Sequence, residues 1–225
     1  MASSTSDTRR TAALARRRAR EREILDATRA LFDERGVRDA QIEDIARAVG
    51  VNRAIIYRHF SGKEELFALT LVGYLDDLAA RLRAVSVDMS PEARVAEITG
   101  AFVDFGLEHP AFVDCAQTLM RRPGPELLDE ISESALFRLG RGIAGCLAVL
   151  TEALRAGNEA EDFAVEDVDL LANTLYASGL GALQLARVGM KVKEAAPGIP
   201  AVEPLSPEQI KQHLVSSALT FARGR

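Results

Sequence analysis

The sequence predicts an all-α protein: a small N-terminal helix-turn-helix domain of three helices, carried on a larger C-terminal helical domain. Three observations lead there. Apolar residues recur at helical spacing along most of the 225 residues, and no strand signal or internal repeat stands out. The stretch QIEDIARAVGVNRAIIYRHFSGKEEL, residues 41–66, reads as two short helices around a glycine turn. Charge also divides by region. Residues 1–65 carry 14 Lys and Arg against 11 Asp and Glu, and residues 66–225 carry 14 against 22, so a head of +3 sits on a body of −8 in a chain of −5. Such asymmetry suits a basic reading head and removes the objection that an acidic chain binds few nucleic acids.

The elements follow in order. Residues 1–19 are expected to form a basic, partly disordered arm, Ser/Thr-rich up to Thr8. Seven arginines crowd residues 9–22 against the single acid Glu21, with Arg16, Arg17 and Arg18 consecutive. A solvated face is one reading of that run; phosphate or minor-groove contact is the one favoured beside a DNA-binding domain. The first helix buries Ile24, Ala27, Leu31 and Phe32 and ends at Gly36. From Ile42 the pattern Ile-x-x-Ile-Ala gives the next helix an apolar face, Gly50 turns the chain, and Asn52 caps the helix after it. That helix buries Ile56 and Phe60 while Arg53, Ala54, Tyr57 and Arg58 stay outside. Ser61-Gly62-Lys63-Glu64 then reads as a capping box, Ser61 capping and Glu64 reaching back. Lys63 in a first turn opposes the helix dipole, and a phosphate partner would account for it.

The run GVRDAQIEDIARAVGVNRAIIYRHFSGKEEL resembles the DNA-binding domain of the TetR family of transcriptional regulators. The likeness is carried by Ile45-Ala46, Ala48-Val49-Gly50-Val51, Tyr57-Arg58-His59-Phe60 and Lys63-Glu64-Glu65-Leu66, and covers residues 20–68. Two positions depart from the family pattern: Gln41 stands where a Ser or Thr cap is usual, with Asp39 as a substitute cap, and Ala54 stands where Gly or Pro is frequent. The resemblance implies domains at 20–66 (DNA binding) and 67–225 (effector binding and dimerisation). It implies a homodimer on double-stranded DNA, at a palindromic operator. Asn52, Arg53 and Ala54 would face bases; Tyr57, His59 and Lys63 would hold phosphates; Arg47, Arg58 and the arm arginines 16–18 complete the expected DNA-binding set.

The helix opened by Ser61 is expected to be long, with Phe67, Leu71, Tyr74, Leu78 and Leu82 on one stripe, joining head to body. Ser90-Pro91 starts a helix that buries Val95, Ile98, Phe102 and Phe105 and ends at His109-Pro110. A short helix over 111–122 follows, then the break Arg122-Pro123-Gly124-Pro125. One long helix is expected over 126–156, apolar nearly all round at 143–150, and stopped by Gly157-Asn158. The last two helices are expected at 165–190 and 206–223, separated by a link with Pro197, Pro200 and Pro204.

The family likeness places a ligand pocket among the middle helices, and few polar groups interrupt their stripes. Phe102, Phe105, Phe112, Leu119, Phe137, Cys146, Leu147 and Leu150 are the candidate lining, although for any single one of them filling the core is the safer reading. Such a lining favours an apolar effector: a fatty acyl chain, an acyl-CoA, a sterol-like or a hydrophobic drug-like molecule. The small residues around Ala177, Leu180, Gly181 and Gln184, with Leu214, Ala218 and Phe221, are the expected dimer interface as a four-helix contact.

Other chemistry is scarce. His59, His109 and His213 are isolated from one another and from cysteine, so no metal site is expected; Gly179-Leu-Gly181 lacks the third glycine of a dinucleotide loop, and no nucleophile elbow is present. No cofactor and no enzymatic activity are expected. Cys115 and Cys146 read as buried free thiols in a reducing compartment, and no apolar run of membrane-spanning length is expected, which together suggest a cytoplasmic protein without a membrane partner. The expected function is a transcriptional regulator, a repressor released by a small apolar effector. A lipid sensor or carrier with a vestigial helix-turn-helix is the alternative, though a carrier has no use for the arginines of 9–22 or for Lys63.

Overall fold

The computed structural model describes residues 2–224, with side chains from residue 9. Ten helices and one two-stranded ribbon make up the described chain: α1 Ala2–Arg35, α2 Ile42–Val49, α3 Arg53–His59, α4 Lys63–Arg83, α5 Pro91–Glu108, α6 Pro110–Met120, α7 Gly124–Glu130, α8 Glu133–Glu159, α9 Val168–Val188, β1 Met190–Ala196, β2 Ile199–Pro204 and α10 Pro207–Ala222. The all-α class holds.

Helix α4 is the axis of the molecule. Leu66, Tyr74, Leu75 and Leu78 are fully buried on different sides of it, because α1, α5, α6 and α8 surround it, α8 most extensively. Head and body share this core. Phe32 of α1 meets Phe67 edge-on at 4.9 Å, the Tyr74 hydroxyl donates to Asp33 at 2.6 Å, and Arg29 reaches Asp77 at 2.6 Å while lying over the Tyr74 ring. Burial, and then the Asp33 carboxylate, push the Tyr74 phenol upward.

Several boundaries differ from expectation. The arm is not separate: α1 runs unbroken through residues 9–19, as a segment of alanines and arginines with one leucine and one threonine allows by propensity. Residues 2–8, expected to be disordered, continue α1 toward the N-terminus as far as Ala2. The helix expected over 126–156 breaks at Ile131, which is extended, and restarts under a Ser132 cap that accepts from Ala135 N–H. The Pro-rich link holds an antiparallel hairpin, β1 against β2, pairing Lys191 with Glu203 and Val192 with Val202. Prolines at 200 and 204 are tolerated because a two-stranded ribbon has only edge strands. Helix α8 is the one described helix long and apolar enough, by length and composition, to cross a membrane. It meets that test although its sequence carries charges, and its inner face packs on α4, α5 and α9.

Candidate nucleic-acid interface and effector cavity

The helix-turn-helix forms on local terms. Gly50 takes the left-handed conformation (φ 70°), and Val51 N–H closes back on the Ala46 carbonyl at 2.9 Å. Asn52 caps α3 by accepting from Ile55 N–H at 3.0 Å. Gln41 precedes α2 without any side-chain cap bond, and Asp39 does not replace it. Ile56 and Phe60 are buried, leaving Arg53, Ala54, Tyr57 and Arg58 exposed on one short helix.

Arg53 is held ready. Its guanidinium donates to Glu43 at 2.7 Å and to the Tyr57 hydroxyl at 3.4 Å. Both arms of the Arg53–Glu43 pair are more than half exposed, so the pair is weak and can be exchanged for a base edge. Arg47, also exposed, pairs with Asp44 at 3.2 Å. Lys63 lies 5.0 Å from the Phe67 ring and has no carboxylate partner among the described residues. His59 keeps a buried Nδ1 without a partner. Its pKa is lowered, first by burial and then by the nearby charge of Arg17, which lies on α1 close to the end of α3. Arg16 and Arg18 are exposed on the same helix; three consecutive residues spread over three faces, so only part of that run can meet one surface.

The capping box takes another form. The carboxylate that reaches back is Glu65, buried, accepting from Ser61 N–H and from the Ser132 hydroxyl of α8. Burial acts to raise this carboxyl, but the bonds from Ser132 and Ser61 outweigh it and leave the pKa lowered. Glu64 instead faces Arg122 at 3.4 Å. Ser61 donates to the Glu130 carbonyl at 3.2 Å, and Arg138 pairs with Glu21 at 2.6 Å. The first turn of α4 is thereby tied to the start of α8, a junction that sequence reading missed.

Within the body a small cavity of about 50 Å³ lies between α4, α5, α8 and α9. Of the expected lining, Phe102, Cys146, Leu147 and Leu150 border it; Leu78, Leu82 and Tyr176 join them. Phe112 meets both Phe102 and Phe105 edge-on as core aromatics behind the cavity. Leu119 borders a separate apolar groove of about 210 Å³, for which Tyr176 is the common wall. Phe137 lies elsewhere, 70% exposed on the outer face of α8, and drops out of the lining. The Tyr176 hydroxyl has no hydrogen-bond partner among the described residues, and burial raises its pKa. Cys146 is pushed up to about 12 by burial and donates to the Leu75 carbonyl at 3.3 Å; Cys115 is fully buried and likewise raised. Gly179 lets Phe102 press against α9, since a Cβ there would stand 2.6 Å from the ring.

The expected dimer residues fall into two groups. Leu180, Leu214 and Ala218 face the protomer's own core, and Gln184 is occupied by Asp114 and Gln117 at 3.0 Å each. Ala177 and Gly181 face outward on α9 and Phe221 on α10. Leu170, Leu185 and Val188 extend the outward stripe of α9.

Residues 24–70 match the family model of bacterial regulatory proteins, tetR family. Over 66 residues the chain is 41% identical to the HTH-type transcriptional repressor KstR2 of Rhodococcus jostii RHA1, covering 29% of this chain and 32% of that protein. The chain thus spans about a third of the length of the first curated relatives it matches. Among solved structures, RolR in complex with resorcinol superposes with a TM-score of 0.65 at 17% identity, covering 93% of this chain and 90% of that one. The ketosteroid transcriptional regulator KstR2 of Mycobacterium tuberculosis does so with 0.58 at 24%, covering 91% and 95%. The KstR2 proteins among these are transcriptional regulators, and the helical fold is shared with both solved structures along nearly the whole chain.

Proposed function

We propose that this chain, a member of the TetR family by its DNA-binding domain, is a homodimeric repressor that leaves a palindromic operator when a small apolar effector enters its body. Arg53, with Asn52 and Ala54 beside it, reads bases; Tyr57, His59 and Lys63 hold phosphates, helped by Arg47, Arg58 and the arginines of α1. The domain division at residues 20–66 and 67–225 belongs to the same proposal, with α4 crossing it.

The observation that carries this reading is that α4 begins beside the recognition helix and ends in the wall of the apolar cavity. At about 50 Å³ the cavity is far below the roughly 300–1,000 Å³ of ligand pockets. An effector must therefore push the walls apart, and through Leu78 and Leu82 α4 is one of the four helices that would move. The near end of α4 is pinned to α8 through Glu65 and Ser132, so the displacement reaches the head as a change of tilt and alters the separation of two recognition helices in a dimer.

The test is selection of bound sequences from random DNA. An inverted repeat with half-sites one helical turn apart, about 34–36 Å, is expected. Apolar compounds that raise the melting temperature of the protein should then lower its affinity for that repeat. No enriched sequence would refute DNA reading; stabilising compounds without effect on DNA affinity would refute the coupling.

A further inference from the structure

Part of the head–body junction is closed by Ser61, Glu65, Ser132 and the Arg138–Glu21 pair. Another part is open. The end of α1 and the loop after it face α6 and α9 across a cleft of about 640 Å³. Four guanidinium groups line it, Arg35 and Arg38 from the head and Arg121 and Arg187 from the body, against two carboxylates, Asp39 and Asp114.

Asp114 is already engaged, by Arg187 at 2.6 Å and Gln184 at 3.0 Å. Arg35 leans on Glu34 at 3.5 Å and Asp44 at 3.9 Å. Arg38 and Arg121 have no ion pair among the described residues, and they stand on different walls. Counting the groups that line it, each wall carries one more guanidinium than carboxylate, Arg35 and Arg38 over Asp39 on the head and Arg121 and Arg187 over Asp114 on the body, and like charges there oppose closure. Its polar lining shares no residue with the apolar cavity.

We propose that this cleft binds a multiply charged organic anion, a phosphate ester or a polycarboxylate, gripped between Arg38 of the head and Arg121 of the body. A singly charged anion neutralises one wall only; an anion with two or more charges neutralises both. Guanidinium forks match phosphate and carboxylate oxygens two at a time, and the cleft lies in the roughly 300–1,000 Å³ range that holds a small molecule. An anion that touches both walls favours one head–body arrangement, so its binding and that of DNA are reciprocally coupled. The site is a second input, separate from the apolar effector, and its occupation does not depend on the repressor reading.

Calorimetry with pyrophosphate and with citrate, at an ionic strength held constant with sodium chloride, tests it. Saturable binding of at least one probe is expected, weakened tenfold or more in Arg38→Gln and in Arg121→Gln. Both side chains are exposed, so the variants should fold as the parent does, which their melting curves would verify. Arg155→Gln, which breaks a surface pair with Asp169 outside the cleft, should leave binding unchanged. Pyrophosphate binding more tightly assigns the site to phosphate esters, and citrate doing so assigns it to polycarboxylates. Heats no larger than those of sodium chloride, or binding that survives both cleft variants, overturn the proposal. So does a loss of DNA affinity in Arg38→Gln and Arg121→Gln without any added anion, because the cleft would then be a contact for the DNA backbone.

Discussion

Gly181 offers a test of assembly that leaves the protomer alone. It faces outward on α9, and a Cβ built there meets nothing within 4 Å. Leucine at this position should therefore not disturb the fold of one chain. It should stabilise α9 slightly, since glycine costs about 0.8–1.0 kcal/mol relative to good helix formers in a helix interior. In a two-fold dimer built on α9 and α10 the same substitution meets its symmetry mate or the mate's neighbours. Overpacking costs about 1–3 kcal/mol per site, and two sites give about 2–6 kcal/mol. At about 1.4 kcal/mol per factor of ten, the dimer dissociation constant should rise by about 30-fold to 10⁴-fold.

Sedimentation velocity over a concentration series would read that shift, and melting curves at concentrations where both proteins are monomeric would show the variant protomer at least as stable as the parent. Loss of linkage between two heads should also weaken operator binding by about 10²–10⁴-fold, leaving half-site affinity. Gly181→Leu that stayed dimeric at nanomolar concentration and bound the operator normally would place the interface off the Leu170–Ala177–Leu185 stripe of α9. A variant that melted early even at concentrations where the parent is also monomeric, so that lost association plays no part, would refute the statement that Gly181 faces open space.

The other expectations concern the head and the cavity. Lys63→Ala and Tyr57→Phe should weaken binding to all DNA sequences alike, by about 1–2 kcal/mol each, whereas Arg53→Ala should relax preference at one base pair per half-site by about 1–3 kcal/mol; changed preference with Lys63→Ala would reverse these roles. Deleting residues 1–19 removes five of the seven clustered arginines, and salt titration should show the slope of log K against log salt flattened by about 0.9 per lost phosphate contact; an unchanged slope makes the segment a solvated helix end. His59 has a lowered pKa through burial and Arg17, so its neutral form is favoured in the fold. The contribution of His59 is complete above the unfolded value of about 6.5 and is lost as pH falls through the folded value; imidazole NMR with a midpoint above 6.5 would contradict this. Gly179→Ala should push the Phe102 ring toward the cavity and weaken binding of any apolar compound that stabilises the parent, and unaltered binding would separate Phe102 from the effector site.

What was legible in the sequence was what forms over short range. The turn at Gly50, the Asn52 cap and the buried Ile56 and Phe60 all lie within one stretch, and each follows from a local rule that the structure meets. The Ser90 and Pro91 start of α5 was readable for the same reason. Errors begin where a distant partner decides. The periodicity of residues 126–156 is helical throughout, yet the helix breaks at Ile131, and the restarting Ser132 also donates to Glu65, 67 residues away. Glu64 fits a capping box by spacing, but Glu65 is the carboxylate turned inward, because the start of α8 lies on that side. The hairpin was hidden by Pro200 and Pro204, although Pro197-Gly198 between alternating residues was a usable turn signal.

The cavity shows a deeper limit. Helical period identifies side chains that face inward, and Phe105, Phe112 and Leu119 are all buried. It does not say where packing leaves space, because a void depends on the sizes of residues on facing helices. Here Phe102 stands where it does because α9 presents Gly179 to it, and the space that remains is closed off by Tyr176, 5.9 Å from Phe102 between ring centroids. Neither partner carries a signal in its own helix: Gly179 reads as one small residue among several, and Tyr176 as an ordinary apolar position. Phe137 shows the converse, an aromatic at helical spacing from buried residues that the body leaves exposed. Fold class therefore follows from patterns that tolerate substitution of one apolar residue for another, while the cavity follows from differences among those residues. That asymmetry is why the proposed DNA-reading side chains form a recognisable set in the sequence, while the walls of the cavity are set by contacts that only the folded chain brings together.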